Sequence, residues 1–559
     1  MPVAVVWLSL HNEIDSRGPW DTAILESLFA NDLWDTGHTF EHHVLRPNLD
    51  EDHMSTFESL DRAIVVLPAR HHTSDEDLAI LNALFAGLRG ILLILVGDEE
   101  AVFPWREIHH DNMRMWVMLP RPDVHADLGR WAFYFGDGFT PGVRERFKDS
   151  PTPLKPVQWS FSGQITNGRR KQAANGLRLL RSRIPGELLE TQGFTQGISR
   201  SEFLAQLRVT KIAPAPGGPC TADTFRMYEA LEAGCVPLAD ETCQQAWYGY
   251  WRFMYPDDPP PFPIVSDWES VGGVVEDELR FWPRGANLAS SWWMRRKREM
   301  AKRLHADLGS IGLPTPLSLV TVIITTSPTL SHPSTDMLEE TLRSVWYHLG
   351  DVQIVIACDG VRPEQLDMAD GYHEYVRQVC WKAQHHWHNV LPVVMREWGH
   401  QAHSTRKALE SVDSELILFM EHDTPLMTDR EIDWKLAIDV MQSGAIDVLR
   451  FHHEASVLAV HEHLMLDTGP SSLFGLPVRR TMQWSQRPHL ANTDYYRRIL
   501  KEHFPAKSRT MIEDRMHSVC QSEPYAKNRI AMYHPDGDIK RSTHTDGRGA
   551  EPKYEMRFN

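Results

Sequence analysis

The chain has 559 residues, more than a single hydrophobic core usually organises, so we expect roughly two to four domains. Its 42% hydrophobic and 24% charged residues are typical of a soluble globular protein. A net charge of -17 disfavours a general nucleic-acid binder, although a local basic groove is compatible with it. The six cysteines form no CxxC pair and no zinc-type spacing, which favours a reduced cytoplasmic interior.

The N-terminus predicts a first strand rather than a targeting segment. Residues 1–10 lack the basic leader and the small-residue cleavage site of a signal peptide. No apolar run reaches the length needed to cross a bilayer, so we expect a cytoplasmic protein without a membrane span.

Residues 1–150 predict a first Rossmann-like layer. Apolar strand-like runs alternate there with helix-like segments: 3–10, 22–31, 63–68, 74–87 and 91–96. This alternation is the βαβ pattern, in which a parallel sheet is buried on both faces.

Residues 151–290 predict a second Rossmann-like layer. Strand-like runs at 157–161 and 211–215 and a helix at 223–233 follow a stretch rich in Pro and Ser. Residues 291–316 have a basic helical pattern that ends in a Gly/Pro boundary, which predicts a solvated helix and a linker. We place the main domain break there.

The remaining domain, residues 317–559, begins with three strand-like runs: 318–326, 353–358 and 416–420. The last and most apolar run ends in Glu421-His422-Asp423. Open α/β sheets bind ligands at the carboxyl ends of their strands, where paired carboxylates suit a divalent cation and phosphates. The sequence therefore predicts an α/β protein with a nucleotide diphosphate and its cation bound to the third sheet.

The polar residues of this domain resemble a GT-A glycosyltransferase over about residues 317–550. They occur in the order Thr325-Thr326, Asp359-Gly360, Arg406, Glu421-His422-Asp423 and Glu513-Asp514. The resemblance implies that Thr325, Thr326, Asp359 and Arg406 bind the nucleotide-sugar donor. It also implies that Asp423 and Glu421 hold Mn²⁺ or Mg²⁺ on the two phosphates. The family's usual motif is Asp-any-Asp, from which Glu421 departs.

Glu513 and Asp514 resemble the acidic pair that inverting members place at the start of an acceptor-side helix. A carboxylate there can take the proton of the attacking hydroxyl, and we expect Asp514 to be the base, with Glu513 as the alternate. The other interpretation is a pair of acids that complement a helix dipole.

Two further groups complete the predicted site. By the same resemblance, Lys540 and Arg541 are expected to steady the diphosphate and His544 to join the metal; the alternative is a disordered basic tail. Trp484 and Arg487 offer a flat ring and hydrogen-bond donors that suit an acceptor sugar, although a tryptophan is also a common core residue.

Residues 157–240 resemble the exostosin-type GT-B glycosyltransferase domain. The resemblance is carried by Trp159 to Gln164, by Arg169-Arg170 and by the segment Phe225 to Pro237. Arg226 and Glu229 lie one helical turn apart and can offer a cation to a diphosphate and a carboxylate to a ribose.

We include Arg169 in this second donor site and expect Gly163 to let the ligand approach the backbone. This half has no recognisable metal motif, as in GT-B enzymes that use helix dipoles and basic side chains. The other interpretations are an ordinary Arg/Glu helix pair or a degenerate domain that holds the acceptor.

The pairing of these two domains is similar to the layout of the exostosins, and the segment 484–491 resembles soluble glycosyltransferases of actinobacterial phages. Together they predict a two-module glycosyltransferase, metal-dependent and inverting in its C-terminal module, located in the host cytoplasm if phage-encoded. The acceptor hydroxyl would belong to a virion protein, a glycan or a modified DNA base.

Two alternatives remain open at this stage. A DNA-hypermodifying glycosyltransferase acting on a hydroxymethylated base would need a basic groove, for which Arg479-Arg480, Arg497-Arg498 and residues 295–303 are candidates. A catalytically inactive nucleotide- or carbohydrate-binding protein would hold the donor without releasing nucleoside diphosphate.

Overall fold

The computed structural model describes residues 2–8, 22–46, 55, 57–69, 73–148, 150–193, 196–246, 248–314, 318–506 and 508–545. Residues 9–10 of the predicted first strand, 315–316 of the predicted linker and the terminal stretch 546–559 lie outside these ranges. The chain forms two compact units, Met1–Pro316 with Gln384–His386 and Leu317–Ala383 with Trp387–Asn559. The predicted α/β class, with two parallel Rossmann-like sheets followed by a third sheet, is confirmed.

The first sheet of the first unit has six parallel strands in the order β2-β1-β3-β4-β5-β6. These strands are β1 (Val3–Leu8), β2 (Phe40–Leu45), β3 (Arg62–Pro68), β4 (Gly90–Val96), β5 (Met113–Met118) and β6 (Ala132–Phe135). The helices are α1 (Ala23–Phe29), α2 (Asp75–Ala86), α3 (Pro122–His125) and α4 (Val143–Phe147). Every residue of β4 is buried, as expected for a central parallel strand covered on both faces.

The second sheet of this unit has five parallel strands in the order β11-β10-β9-β7-β8. They are β7 (Val157–Gln164), β8 (Glu187–Thr191), β9 (Thr210–Ala215), β10 (Val236–Asp240) and β11 (Ile264–Val265). The helices are α5 (Gly168–Arg181), α6 (Arg200–Val209), α7 (Phe225–Glu232), α8 (Tyr250–Met254) and α9 (Val271–Arg280).

The basic helix is longer and more buried than the sequence predicts. Helix α10 (Arg284–Ser310) buries Lys297, whose Nζ lies 2.8 Å from Glu232 Oε1. Burial raises the pKa of Glu232, but the charges of Lys297 and Arg144 more than offset this and hold it at about 2. Near the other end of the helix, Asp307 accepts a hydrogen bond from Trp116 Nε1 at 2.9 Å. The helix therefore packs on both sheets of the first unit.

The second unit contains a mixed nine-stranded sheet in the order β14-β13-β12-β15-β19-β16-β20-β18-β17. The strands are β12 (Val320–Thr326), β13 (Gln353–Cys358), β14 (Val390–Val394), β15 (Leu416–Glu421), β16 (Val448–Arg450), β17 (Ser471–Leu473), β18 (Leu476–Thr481), β19 (His489–Asn492) and β20 (Ile530–Tyr533). Strands β12 to β15 are parallel, and β19 runs antiparallel between β15 and β16.

The helices of the second unit are α11 (Asp336–Leu349), α12 (Ala369–His385), α13 (His400–Leu409), α14 (Trp434–Gln442), α15 (Thr493–His503) and α16 (Ile512–Ser522). Among the described helices of the whole chain, none combines the length and the apolar character that a bilayer span requires.

Candidate functional site

One edge of the nine-stranded sheet gathers the polar residues of the second unit. We call it the ligand edge, defined by the residues at or just after the carboxyl ends of β12 to β16 and those that precede β19. Because β19 is antiparallel to both neighbours, its amino end lies beside the carboxyl ends of β15 and β16. Arg487 is thus placed between Glu421 and Arg450.

Asp423 and His544 are in contact at this edge. His544 Nε2 lies 3.3 Å from Asp423 Oδ2, and the backbone N–H of Thr545 donates to the Asp423 carbonyl at 2.7 Å. Burial raises the pKa of Asp423, but the hydrogen bond from His544 and the charges of His422 and His544 outweigh it and hold the pKa at about 2. The carboxyl group of Asp423 is therefore ionised at neutral pH.

The carboxyl group of Glu421 has a higher pKa than that of Asp423. Burial and the neighbouring Asp423 charge raise its pKa to about 8. Gln401 Nε2 donates to Glu421 Oε1 at 3.0 Å, while Gln401 Oε1 accepts from Ile512 N at the same distance. Sequence reasoning missed Gln401, which follows the strand β14 and so reaches the same edge.

The residues present fit a nucleotide-bound divalent cation. Within the described residues, no three His, Cys, Asp or Glu side chains already form a metal cage. Mg²⁺ in nucleotide sites typically takes one or two carboxylates and completes its shell with phosphate oxygens and water. Asp423 and His544 offer one carboxylate and one imidazole, donor types that Mn²⁺ accepts, whereas Glu421 beside them holds its proton.

Asp359 organises the backbone beside the predicted nucleoside. Its Oδ1 accepts from the backbone N–H groups of Gly360 and Gly399, each at 2.8 Å, and its Oδ2 from His400 N at 2.9 Å. His400 has a φ of 58°, in the left-handed region. A Cβ at Gly360 would lie 2.3 Å from Trp398 N, so a side chain there would displace this turn.

Thr325 and Thr326 lie at the end of β12 next to this turn. Thr326 Oγ1 is 3.1 Å from Tyr375 Oη, and the Thr325 carbonyl accepts from His422 N at 3.0 Å. Both side chains are buried. The structure therefore brings both threonines and Asp359 to one end of the ligand edge.

The two acids at the start of α16 face different neighbours. Glu513 Oε2 accepts from Gln486 N at 3.1 Å, and its charge acts on Glu421 and Arg450. Asp514 is exposed, and its charge acts on His400.

Three residues predicted to bind ligands have structural contacts instead. Arg406 donates hydrogen bonds to the carbonyls of Leu500, Phe504 and Ala506. Its guanidinium group therefore holds the loop after α15 and is not directed to a nucleotide-sugar. Trp484 is 1% exposed and packs against His489 and Tyr496, so the prediction of a sugar platform is corrected to a core residue.

Arg541 is also part of the framework. Its Nε donates to the Glu431 carbonyl at 3.1 Å and its Nη1 to the Asp538 carbonyl at 2.9 Å. Asp538 also accepts from the backbone N–H of Lys540 at 2.9 Å. This segment is folded rather than a disordered tail. Its hydrogen bonds fix the backbone shortly before His544.

The first unit contains a cleft of about 330 Å³. Its lining is Thr140, Ser162, Gly163, Gln164, Arg170, Thr191, Gln196, Gly197, Ile198, Ser199, Arg200, Phe203, Thr224, Phe225, Arg226 and Glu229. Three predicted residues, Gly163, Arg226 and Glu229, thus share one cavity. Arg170 and Arg200 also line this cleft and were not among the predicted donor-site residues.

The cleft is cationic and partly desolvated. Burial and the Arg170 charge together lower the pKa of Arg226 to about 10. Arg170 is 9% exposed, and its Nε is without a hydrogen-bond partner among the described residues. Glu229 accepts hydrogen bonds from the Thr140 hydroxyl and from Arg200 Nη1, the latter at 3.3 Å.

Arg169 does not line this cleft. Its Nε donates at 3.3 Å to Asp240, a fully buried carboxylate at the end of β10 that also accepts from Trp268 Nε1 at 2.9 Å. The predicted donor role of Arg169 is therefore corrected to a buried ion pair that fixes the start of α5.

No protein-family profile and no curated protein sequence matches the chain. Among solved structures it is similar to S. aureus TarS 1–349, with 17% identity over 41% of this chain and 60% of that chain and a TM-score of 0.26. The complex of that fragment with UDP-GlcNAc matches with 14% identity over 42% and 62% and a TM-score of 0.25. Mannosyltransferase PcManGT from Pyrobaculum calidifontis, in complex with GDP-Man and Mn²⁺, matches with 13% identity over 46% and 65% and a TM-score of 0.25.

The chain thus spans 60 to 65% of the length of these three structures.

Proposed function

We propose that the chain is a glycosyltransferase whose second unit moves a sugar from a nucleotide-sugar donor to an acceptor hydroxyl. The main support is the contact of Asp423 with His544 beside Glu421, at the ligand edge of an α/β sheet. On one side of this pair lies the turn held by Asp359, and α16 presents Glu513 and Asp514 to the same region.

The donor would be held by its nucleoside and by its phosphates. Thr326 and the backbone turn around Asp359 form a polar surface for the nucleoside at the ends of β12 and β13. Asp423 and His544 would bind a divalent cation, which supplies the positive charge that stabilises the departing nucleoside diphosphate. Gln401 orients Glu421 next to them.

Asp514 is assigned the general base and Glu513 a positioning role. Asp514 would take the proton of the acceptor hydroxyl as that oxygen forms a bond to the anomeric carbon. The bond from that carbon to the diphosphate oxygen breaks with its electron pair leaving on the diphosphate, which inverts the anomeric centre. Glu513 accepts from Gln486 N and so fixes the turn that carries Arg487.

The first unit is assigned a second donor site that works without a metal ion. Arg170, Arg200 and Arg226 bring three guanidinium groups to one cleft, where arginine can bind diphosphate oxygens in pairs. The amino end of α7 also faces this cleft with Phe225 and Arg226, which adds favourable backbone dipoles.

Two of the arginines that would form the basic groove of a DNA-modifying enzyme are paired with carboxylates, which weakens that alternative. Arg479 pairs with Glu462 and Arg480 with Asp467, each with a shortest contact of 2.6 Å. Their positive charges are therefore matched by carboxylates of the chain.

The test is release of nucleoside diphosphate from UDP-, GDP- and dTDP-sugars, with and without acceptors, in Mn²⁺ or EDTA. Release that requires Mn²⁺ and disappears in Asp423→Asn, but not in the exposed control Asp429→Asn, supports the second unit as a transferase. Release that survives EDTA and disappears in Arg226→Gln supports the site in the first unit. Binding of these donors without release under every condition would overturn the proposal in favour of a binding protein.

A further inference from the structure

The ligand edge has an acidic half and a basic half. Moving along the sheet from β13, the edge presents Asp359, then Glu421 at the end of β15 with Asp423 after it, then Arg487 before β19 and Arg450 at the end of β16. Neighbouring strands lie roughly 4.8 Å apart, so Asp359 and Arg450 each lie on the order of 10 Å from Glu421, on opposite sides.

Arg450 is a buried cation on which the Glu513 carboxylate acts electrostatically. It is 2% exposed, its Nη1 donates to the backbone carbonyl and the side-chain oxygen of Gln483, and its Nε has no hydrogen-bond partner among the described residues. Burial lowers its pKa to about 10, and the charge of Glu513 opposes this lowering. A buried charge is costly unless a partner of opposite sign approaches it.

Arg487 adds a second cation to the same place. Its charge acts on Glu421, on Arg450 and on the histidines that follow β16, His452 and His453. Burial, together with the Arg487 charge, lowers the pKa of His453 to about 3. Both histidines therefore enter the site as neutral hydrogen-bonding groups, and the positive charge belongs to the two arginines.

The position of this half favours the acceptor over the donor. In the proposed reaction the nucleoside lies at Asp359 and the diphosphate at Asp423, which together occupy the acidic half. The transferred sugar then lies near Glu421, and the attacking molecule has to reach it from the side of Arg487 and Arg450. Glu513, whose charge acts on Arg450, connects this half to the assigned base Asp514.

We propose that the acceptor is a phosphorylated sugar or polyol whose phosphate is bound by Arg487 and Arg450. This inference rests on the proposed function and names the substrate class of the same site. Guanidinium groups bind phosphate oxygens through paired, charge-assisted hydrogen bonds, and Arg487 and Arg450, whose charges act on each other, bring two such groups to this half of the edge.

The test compares matched neutral and phosphorylated acceptors, sorbitol with sorbitol 6-phosphate and methyl glucoside with its 6-phosphate, at saturating donor. We expect kcat/KM to favour the phosphorylated member by roughly 10- to 100-fold at low salt, in line with hydrogen bonds to a charged group, and the preference to shrink as salt rises. In Arg487→Gln the preference should disappear, in Arg487→Lys it should be partly kept, and in the control Arg498→Gln it should be unchanged.

Donor binding separates this proposal from the proposed function. Titration of nucleoside diphosphate with Mn²⁺ should give the same Kd for the wild type and Arg487→Gln. If Arg487→Gln weakens donor binding and leaves the acceptor preference intact, Arg487 belongs to the donor and the inference is overturned. Equal rates with neutral acceptors, or a stronger preference for a single-stranded oligonucleotide, would also overturn it.

Calorimetry keeps the inference testable if no acceptor turns over. Sorbitol 6-phosphate should bind to the complex with nucleoside diphosphate and Mn²⁺, and Arg487→Gln should weaken this binding by roughly 10-fold or more. Equal binding to wild type and variant would reject the phosphate site, whatever the fate of the transferase proposal.

Discussion

The guanidinium of Arg226 occupies the space that Gly163 leaves empty: a Cβ at Gly163 would come within 2.2 Å of Arg226 Nη2. From the same position Arg226 Nη2 donates to the Ser162 carbonyl at 3.1 Å. The sequence suggested that Gly163 lets a ligand approach the backbone. In the structure it lets an arginine approach, and that arginine faces the cleft.

Gly163→Ala is therefore expected to move Arg226 without unfolding the first unit, because the clashing atom is the end of a flexible side chain. Binding of nucleoside diphosphate in EDTA should weaken about tenfold, the loss of roughly one good charged hydrogen bond. Gly168→Ala is the matched control, since a Cβ there would meet nothing within 4 Å. Equal weakening in both variants would argue against a specific role for the Gly163 contact.

Metal affinity should depend on the contact between Asp423 and His544. Asp423→Asn removes the ionised carboxylate, and His544→Ala removes the nitrogen that lies 3.3 Å from it. Each should lower the affinity for Mn²⁺ in the presence of nucleoside diphosphate by about tenfold or more. Electron paramagnetic resonance of free Mn²⁺ measures this directly. Unchanged Mn²⁺ affinity in both variants would show that Asp423 and His544 do not bind the metal.

Asp359→Asn should destabilise the second unit by about 1 to 3 kcal/mol, the usual cost of unsatisfied buried groups. The carboxylate accepts three backbone hydrogen bonds, and an asparagine amide would turn its own N–H groups toward one of those donors. Urea unfolding followed in the second unit measures the loss. Asp370→Asn, at an exposed position of α12, serves as control and should leave stability unchanged.

The stability of the first unit should fall as pH rises above about 4. Asp137 and Asp223 are buried together; burial raises the pKa of Asp223 to about 6, and burial with the Asp223 charge raises that of Asp137. A carboxyl whose folded pKa exceeds its unfolded value binds its proton more tightly in the native state. The two carboxyl groups then contribute fully to the free energy of unfolding when the pH is below their unfolded pKa. This contribution is lost as the pH rises through their folded pKa.

Thermal unfolding at pH 5 and pH 7.5 tests this. Asp137→Asn keeps an oxygen to accept the hydrogen bond from Phe225 N, 3.0 Å in the wild type, but removes the like charge. The variant should be more stable at pH 7.5 by roughly 1 to 3 kcal/mol and less sensitive to pH. Asp111→Asn, an exposed control, should behave as the wild type. A variant as pH-sensitive as the wild type would contradict the assignment.

The acidic half of the ligand edge could be predicted because its strands are long apolar runs that end abruptly in polar residues. β13 was predicted with the bounds it has, and β15 differs by one residue, since Glu421 still pairs with Thr325. The carboxyl ends of parallel strands fall on one edge, so the order of the motifs indicated which polar residues would lie along that edge.

The basic half could not be predicted in the same way. β16 and β19 have three and four residues, too few for periodicity to show, and β19 reaches the edge by its amino end. Arg450 therefore had no local signal. For Trp484 a local signal was present but ambiguous. A ring beside hydrogen-bonding residues has the same sequence pattern whether it binds a sugar or fills a core.

Helix α10 has a consequence for how the first unit can be produced as an isolated fragment. A fragment cut at residue 290, where the sequence alone suggests a boundary, would lose Lys297 and leave Glu232 buried without that cation, at a cost of about 3 to 5 kcal/mol. It would also lose Asp307, which accepts from Trp116 in the first sheet. Recombinant expression of this unit alone therefore has to retain the whole helix, and limited proteolysis within residues 284–310 should release material that no longer refolds.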